Sequence, residues 1–151
     1  MEKEFYLKRW PVVRQDTLAI LETFSDEDLE FIPVRGGWPV ATIMCHIAET
    51  ANFWLHGGAF KVLGVKTNKS RVSDKCRTLE EVMAYLADEH QRTMQLLTDL
   101  NPADWQKEIR YADDFAPTAS WVFWHVLEHE IHHRGELSLI TGILGREGLD
   151  L

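Results

Sequence analysis

The segment that most constrains the fold is WVFWHVLEHEIHHRGEL, residues 121–137, which places four histidines in a run that otherwise reads as a buried helix. A helix turns about 100° per residue. With His125 at the origin, His129 falls at about 40°, His132 at about −20°, His133 at about 80° and Glu136 at about 20°. Trp121 and Val122 before them, and Ile140 and Ile143 after, fall on the same side. The polar cluster is therefore predicted on the face that points at the core. Burying several imidazoles without partners is costly. A bound metal ion would remove that cost.

The rest of the chain reads as three more helices separated by turn signals. The first covers about residues 4–24, with Trp10, Val13, Thr17, Leu21 and Phe24 on one stripe. Pro11 predicts that its regular part begins there. Ser25 followed by Asp28 predicts a capped turn, and Pro33, Gly36 and Gly37 mark a loop. The second helix starts at Pro39, runs to about Leu55 and is expected to stop at Gly57–Gly58. Ile43, His46, Ile47, Thr50, Phe53 and Trp54 line one face of it. Residues 57–77 read as a loop or short irregular helix. Thr78 and Glu81 form a capping box that opens the third helix, which ends before Asn101–Pro102. A connector with Trp105 and Tyr111 follows. Thr118 or Ser120 opens the fourth helix, which ends near Gly142–Gly145. Four amphipathic helices in one chain of 151 residues predict an all-α, four-helix bundle as a single domain over 1–151, with a long connection between helices two and three.

The formal net charge is −8. That argues against nucleic acid, whose phosphates need a basic face, and against an anionic membrane surface. No apolar run approaches the ~18 residues that span a bilayer, and MEKEFYLKRW carries no apolar signal region. The expected location is the cytoplasm. Of the two cysteines, Cys45 sits in an apolar helical pattern and is expected as a small buried hydrophobe, without a disulfide to Cys76.

Two histidines at i and i+4 bring their rings to one face of a helix. Helix four offers His125/His129 and His129/His133, and His46 on the core face of helix two can supply a third ligand. Three imidazoles would leave a coordination position open, the arrangement of a reactive zinc-type site rather than a closed structural one. Imidazoles without thiolates favour transition metals over magnesium or calcium.

The Gly37–Trp38 step leading into CHIAET, the SDEDL turn and the piece HEIHHRGEL together resemble the DinB-like (DinB/YfiT) proteins over nearly the full chain. The resemblance implies a four-helix bundle, often a homodimer, binding one divalent metal through three histidines, here His46, His129 and His133. Nickel or zinc is expected, ahead of iron, cobalt or manganese. It further implies a metal-dependent hydrolase, or a transferase that uses a low-molecular-weight thiol. The alternative it leaves is a metal-stabilised stress-response or small-molecule-binding module without turnover. Two positions depart from the pattern: Pro39 replaces a frequent Ser cap, and Glu136 stands where Gln is common after His-Arg-Gly.

His129-Glu130-Ile131-His132-His133 also spells H-E-x-x-H, a metallopeptidase signature in which the Glu is the general base. The downstream Gly and His of a metzincin are missing, since positions 136 and 139 are Glu136 and Leu139. Glu130-x-x-His133 lacks the second E-x-x-H of a di-iron bundle. Glu130 remains the candidate base, weighed against a solvated helix charge. His125, His132 and Glu136 are expected to line the pocket or orient the ligands. His56 and His90 are expected on the surface.

Overall fold

Helix α1 (Lys3–Leu21) forms around Tyr6, Trp10, Val13, Thr17, Ile20 and Leu21, all buried. It runs straight through Pro11 instead of starting there. Proline has no N–H to give the carbonyl four residues back, but buried Tyr6 and Trp10 bind the preceding turns to the core. The helix ends at Leu21, three residues earlier than expected, and Phe24 is buried just beyond it. The computed structural model describes residues 2–67 and 76–149. The expected loop over 57–77 thus lies partly outside the described residues.

The capped turn after α1 is present. Asp28 Oδ2 accepts from the Ser25 backbone N–H at 2.6 Å, and the 3-10 turn spans Asp26–Asp28. Helix α2 (Val40–Ala51) follows Pro39, which takes the cap position. Gly57 and Gly58 do not stop it. The helix passes into a π-helix over Asn52–Ala59 and then a helical turn over Phe60–Val62. A Cβ on Gly58 would overlap the Tyr111 ring at Cε1. The Tyr111 hydroxyl donates to the Trp54 carbonyl at 2.6 Å. Gly58 is thus a place of close approach, where a ring from a distant loop lies against the backbone.

Helix α3 (Leu79–Asp99) opens on the Thr78 cap, whose side chain accepts from Glu81 N–H at 3.2 Å. A 3-10 turn (Pro102–Gln106) buries Trp105. Helix α4 (Ala119–Ile143) is capped by Thr118, which accepts from Trp121 N–H at 3.3 Å. The fold is all-helical with four main helices, as the sequence pattern predicts. Both α1 and α2 pack on α3 and on α4. No helix among the described residues is long and apolar enough to cross a membrane.

The core has two apolar clusters. One gathers Tyr6, Trp10, Leu55, Leu97, Trp105, Phe123 and Leu127. The other gathers Ile20, Ile43, Met44, Val82, Leu86, Leu137 and Ile140. Between them along α1, α3 and α4 lies a buried polar layer. Arg14 Nε and Nη2 donate to the two oxygens of Glu130 at 2.8 and 3.0 Å, and Trp10 Nε1 donates to Glu130 at 2.6 Å. Thr93 bridges Glu89 (2.5 Å) and His56 (2.8 Å). His56 is therefore buried, not a surface residue: Thr93 meets its Nε2, while its Nδ1 is buried without a hydrogen-bond partner. His90 is half-buried, edge-on to Trp10 at 4.9 Å. Cys45 is buried and Cys76 half-buried, both free thiols in mutual contact. Burial pushes the Cys45 thiol up to about 12.

Candidate metal centre

The three histidines selected from the sequence meet at one point. His46 comes from the second turn of α2, while His129 and His133 come from successive turns of α4. Their ring centroids are 4.9 Å (His46–His129), 5.2 Å (His46–His133) and 4.5 Å (His129–His133) apart. One ligand atom from each lies within 4.8 Å of the others. The cluster sits at the rim of the polar layer, half-buried instead of fully core-facing. Trp121 and Ile143, expected on the core face, are 41% and 50% exposed, whereas Val122 and Ile140 are buried.

Carboxylates stand behind two of the rings. His133 Nδ1 is 2.8 Å from Glu136 Oε2, and His46 Nδ1 is 3.8 Å from Glu49 Oε2. The Glu136 carboxylate, within hydrogen-bond reach, favours a proton on His133 Nδ1 and leaves its Nε2 with the lone pair, whereas Glu49 stands beyond hydrogen-bond reach of His46. His129 differs: Thr50 Oγ1 lies 3.4 Å from its Nε2, and its Nδ1 is buried without a hydrogen-bond partner. Burial, with the neighbouring imidazoles, lowers the His129 pKa to about 4. Burial also lowers that of His133 against the opposing pull of Glu136. Both rings are thus neutral at neutral pH, as metal ligands must be. Neutral imidazoles, an orphaned ring nitrogen and carboxylates behind the ligands fit a divalent transition metal.

The other expected residues divide. Glu136 touches His133, as expected. His125 lies one turn before His129, centroid to centroid 6.3 Å, and stacks on Trp121 at 5.0 Å with planes 9° apart. His132 is exposed and meets His133 edge-on at 4.9 Å, forming with it and Glu136 a second, outer group of possible ligand atoms. Glu130 is neither a solvated charge nor a base aimed at the triad. It is 1% exposed and its oxygens are taken up by Arg14 and Trp10. The Arg14 guanidinium, opposing burial, holds its carboxyl below the usual range, which makes it a poor proton acceptor. The peptidase reading of H-E-x-x-H loses its base on this ground.

Glu49 and Thr50 also border the triad, a role that the helical pattern of α2 does not assign to them. A signal for Glu49 was present. The spacing H-x-x-E occurs at His46/Glu49, His125/Glu128 and His133/Glu136, and each pair is in contact, at 3.8, 3.9 and 2.8 Å. Trp38 closes one side, edge-on to His46 at 4.9 Å.

The DinB superfamily profile matches residues 10–137. Solved structures give the same fold. A DinB-like protein from Bacillus cereus is 17% identical with a TM-score of 0.82, over 100% of this chain and 99% of its own. A DinB-like protein from Bacillus subtilis is 19% identical with a TM-score of 0.73, over 97% and 95%. A conserved protein from Enterococcus faecalis is 13% identical with a TM-score of 0.63, over 93% and 95%. No curated protein matches the chain.

Proposed function

The chain belongs to the DinB superfamily, and on that premise we propose that it is a metal-dependent enzyme, a hydrolase or thiol-dependent transferase, with His46, His129 and His133 as its metal ligands. The observation that carries this reading is the convergence of three imidazoles from two helices within 4.8 Å. Among the described residues no fourth protein donor belongs to that group, which suits an open, reactive site over a closed structural one. A bound divalent ion, nickel or zinc before iron, cobalt or manganese, would act as a Lewis acid toward a water or a thiol.

The chain's own residues supply the rest. Glu136 orients the His133 ring, and Glu49 stands beside that of His46. The hydroxyl of buried Thr50 stands beside the third and can hydrogen-bond a group placed at the centre. Arg14 and Trp10 keep Glu130 away from the chemistry. The low-molecular-weight thiol and the homodimer come from the family resemblance. Free thiols at Cys45 and Cys76 fit a reducing compartment, the cytoplasm.

The test is elemental analysis of the purified protein, followed by hydrolase and thiol-transfer assays with the metal present and removed. The expected outcome is about one ion per chain, metal-dependent turnover, and loss of the ion in His133→Ala. Full metal stoichiometry in that variant would sink the ligand assignment. Stoichiometric metal without turnover would leave a metal-stabilised small-molecule-binding module.

A further inference from the structure

Beside the triad lies an aromatic cluster that the metal chemistry does not use. Trp54, on the π-helical segment, sits 4.6 Å from Tyr111 and 4.9 Å edge-on from His125. It is also 6.2 Å from both Phe115 and Trp121. Trp121 lies flat on His125 with planes 9° apart, and Phe115 meets Trp121 edge-on at 5.5 Å. His125 then leads to His129, 6.3 Å away. The rings form one continuous wall from the loop of Tyr111 and Phe115 to the first ligand of α4.

Two features set this wall apart from ordinary core. Trp121 is 41% exposed and Trp54 only partly buried, although burying such rings is favourable by about 25 cal/mol per Å². Their positions are also fixed from behind. The Tyr111 hydroxyl holds the Trp54 carbonyl, and Gly58 gives Tyr111 the space to do so. A π-helix costs regular hydrogen bonding and tends to occur at functional sites. Rigid, half-open aromatic faces next to a few convergent polar groups are how a small-molecule site is built, and pre-set rings lose little entropy on binding.

We infer that Trp54, Trp121 and His125 form a substrate subsite for a planar apolar ring, carried by a small molecule whose metal-binding group is presented to His46, His129 and His133. The inference rests on the metal-site reading. His125, the end of the wall nearest the triad, lies 6.3 Å from His129, so a ring packed beside it and a polar head at the triad can belong to one molecule. Ring packing of this kind adds to area burial, so it is readable as affinity.

Two probes with the same metal-binding head test it: acetohydroxamate and benzohydroxamate, titrated calorimetrically into the zinc-loaded full chain and its Trp121→Ala and Trp54→Ala variants. Benzohydroxamate is expected to bind roughly tenfold tighter than acetohydroxamate to the native chain. Both variants should keep their zinc and their acetohydroxamate affinity and lose most of that preference, a comparison that removes any difference intrinsic to the probes. Equal affinities in the native chain, or a preference surviving in both variants, overturns the subsite and leaves the metal site standing. Failure of zinc-loaded chain to bind either hydroxamate overturns the open metal site, and the subsite falls with it.

Discussion

Arg14 brings one positive charge to two buried carboxylates, and geometry decides between them. Glu130 receives both arms of the guanidinium, whereas Glu89 lies 4.0 Å away. Burial therefore dominates at Glu89 and raises its pKa to about 7, while Glu130 stays ionised. Removing one member of a buried pair leaves the other uncompensated, at about 3–5 kcal/mol. Glu130→Ala should cost roughly 3 kcal/mol in urea unfolding, the lower end of that range, because Glu89 can ionise in its place. The folded variant should keep its metal. A cost near zero with lost turnover would instead return Glu130 to the chemistry. Glu89 gives a pH dependence of known sign. Its folded pKa of about 7 lies above the unfolded 4.5, so the native state holds the proton longer. The stability it contributes is full below 4.5 and declines as pH rises to about 7. His56 and His90 act oppositely, being lowered from 6.5 to about 4 by burial, so their stability is lost as pH falls through that window. His129 and His133, also lowered, add to that opposing slope, so the share of Glu89 is read as the difference between the native chain and Glu89→Gln. The unfolding free energy of the native chain relative to that of Glu89→Gln should fall as pH rises from 4.5 to about 7. An unchanged slope in that variant would remove Glu89 as its source.

At the scale of elements, the π-helix of Asn52–Ala59 is where local and tertiary forces disagree. Glycines are poor helix formers, and a Gly-Gly step reads as a stop. The structure instead uses the missing Cβ of Gly58 to admit Tyr111, 53 positions later, against the helix. Gly58→Ala should therefore destabilise by about 1–3 kcal/mol through overpacking, despite the better propensity of Ala. Gly57→Ala is the control. Its Cβ would meet only the Asn52 carbonyl at 3.4 Å, so its melting temperature should be unchanged or raised. Equal melting temperatures for the two variants would discard the packing argument. The same contrast explains what the sequence could disclose. The Thr78/Glu81 box, the Ser25/Asp28 turn and the Thr118 cap were legible because each is made within four residues. The passage of α1 through Pro11 and of α2 through Gly58 was not, because partners far along the chain decide both.

For the whole molecule, the site lies at the level of the polar layer between two apolar clusters, and one stretch of α4 serves both sides of it. His129 and His133 turn toward α2, while Glu130 turns toward Arg14 on α1. Helical spacing revealed the first face, since i and i+4 imidazoles align whatever surrounds them. It could not reveal that Glu130 had a buried cation waiting, because Arg14 reads as an ordinary surface charge between Val13 and Gln15. The triad is thus assembled only when α2 docks on α4, and unfolding separates His46 from the other two. An ion held by all three binds the native state and not the unfolded chain. At a free-ion concentration one hundred times the Kd, that contributes about 2.7 kcal/mol. A chain of this length shifts its Tm by roughly 2–4 °C per kcal/mol, so chelation should lower the melting temperature by roughly 5–10 °C. His46→Ala should melt lower than the metal-loaded native chain and show no further drop on chelation, because the site is already incomplete. A melting temperature of the metal-loaded native chain that chelation leaves in place would mean that the ion binds folded and unfolded chains alike, and would remove the three-histidine centre as a property of the fold.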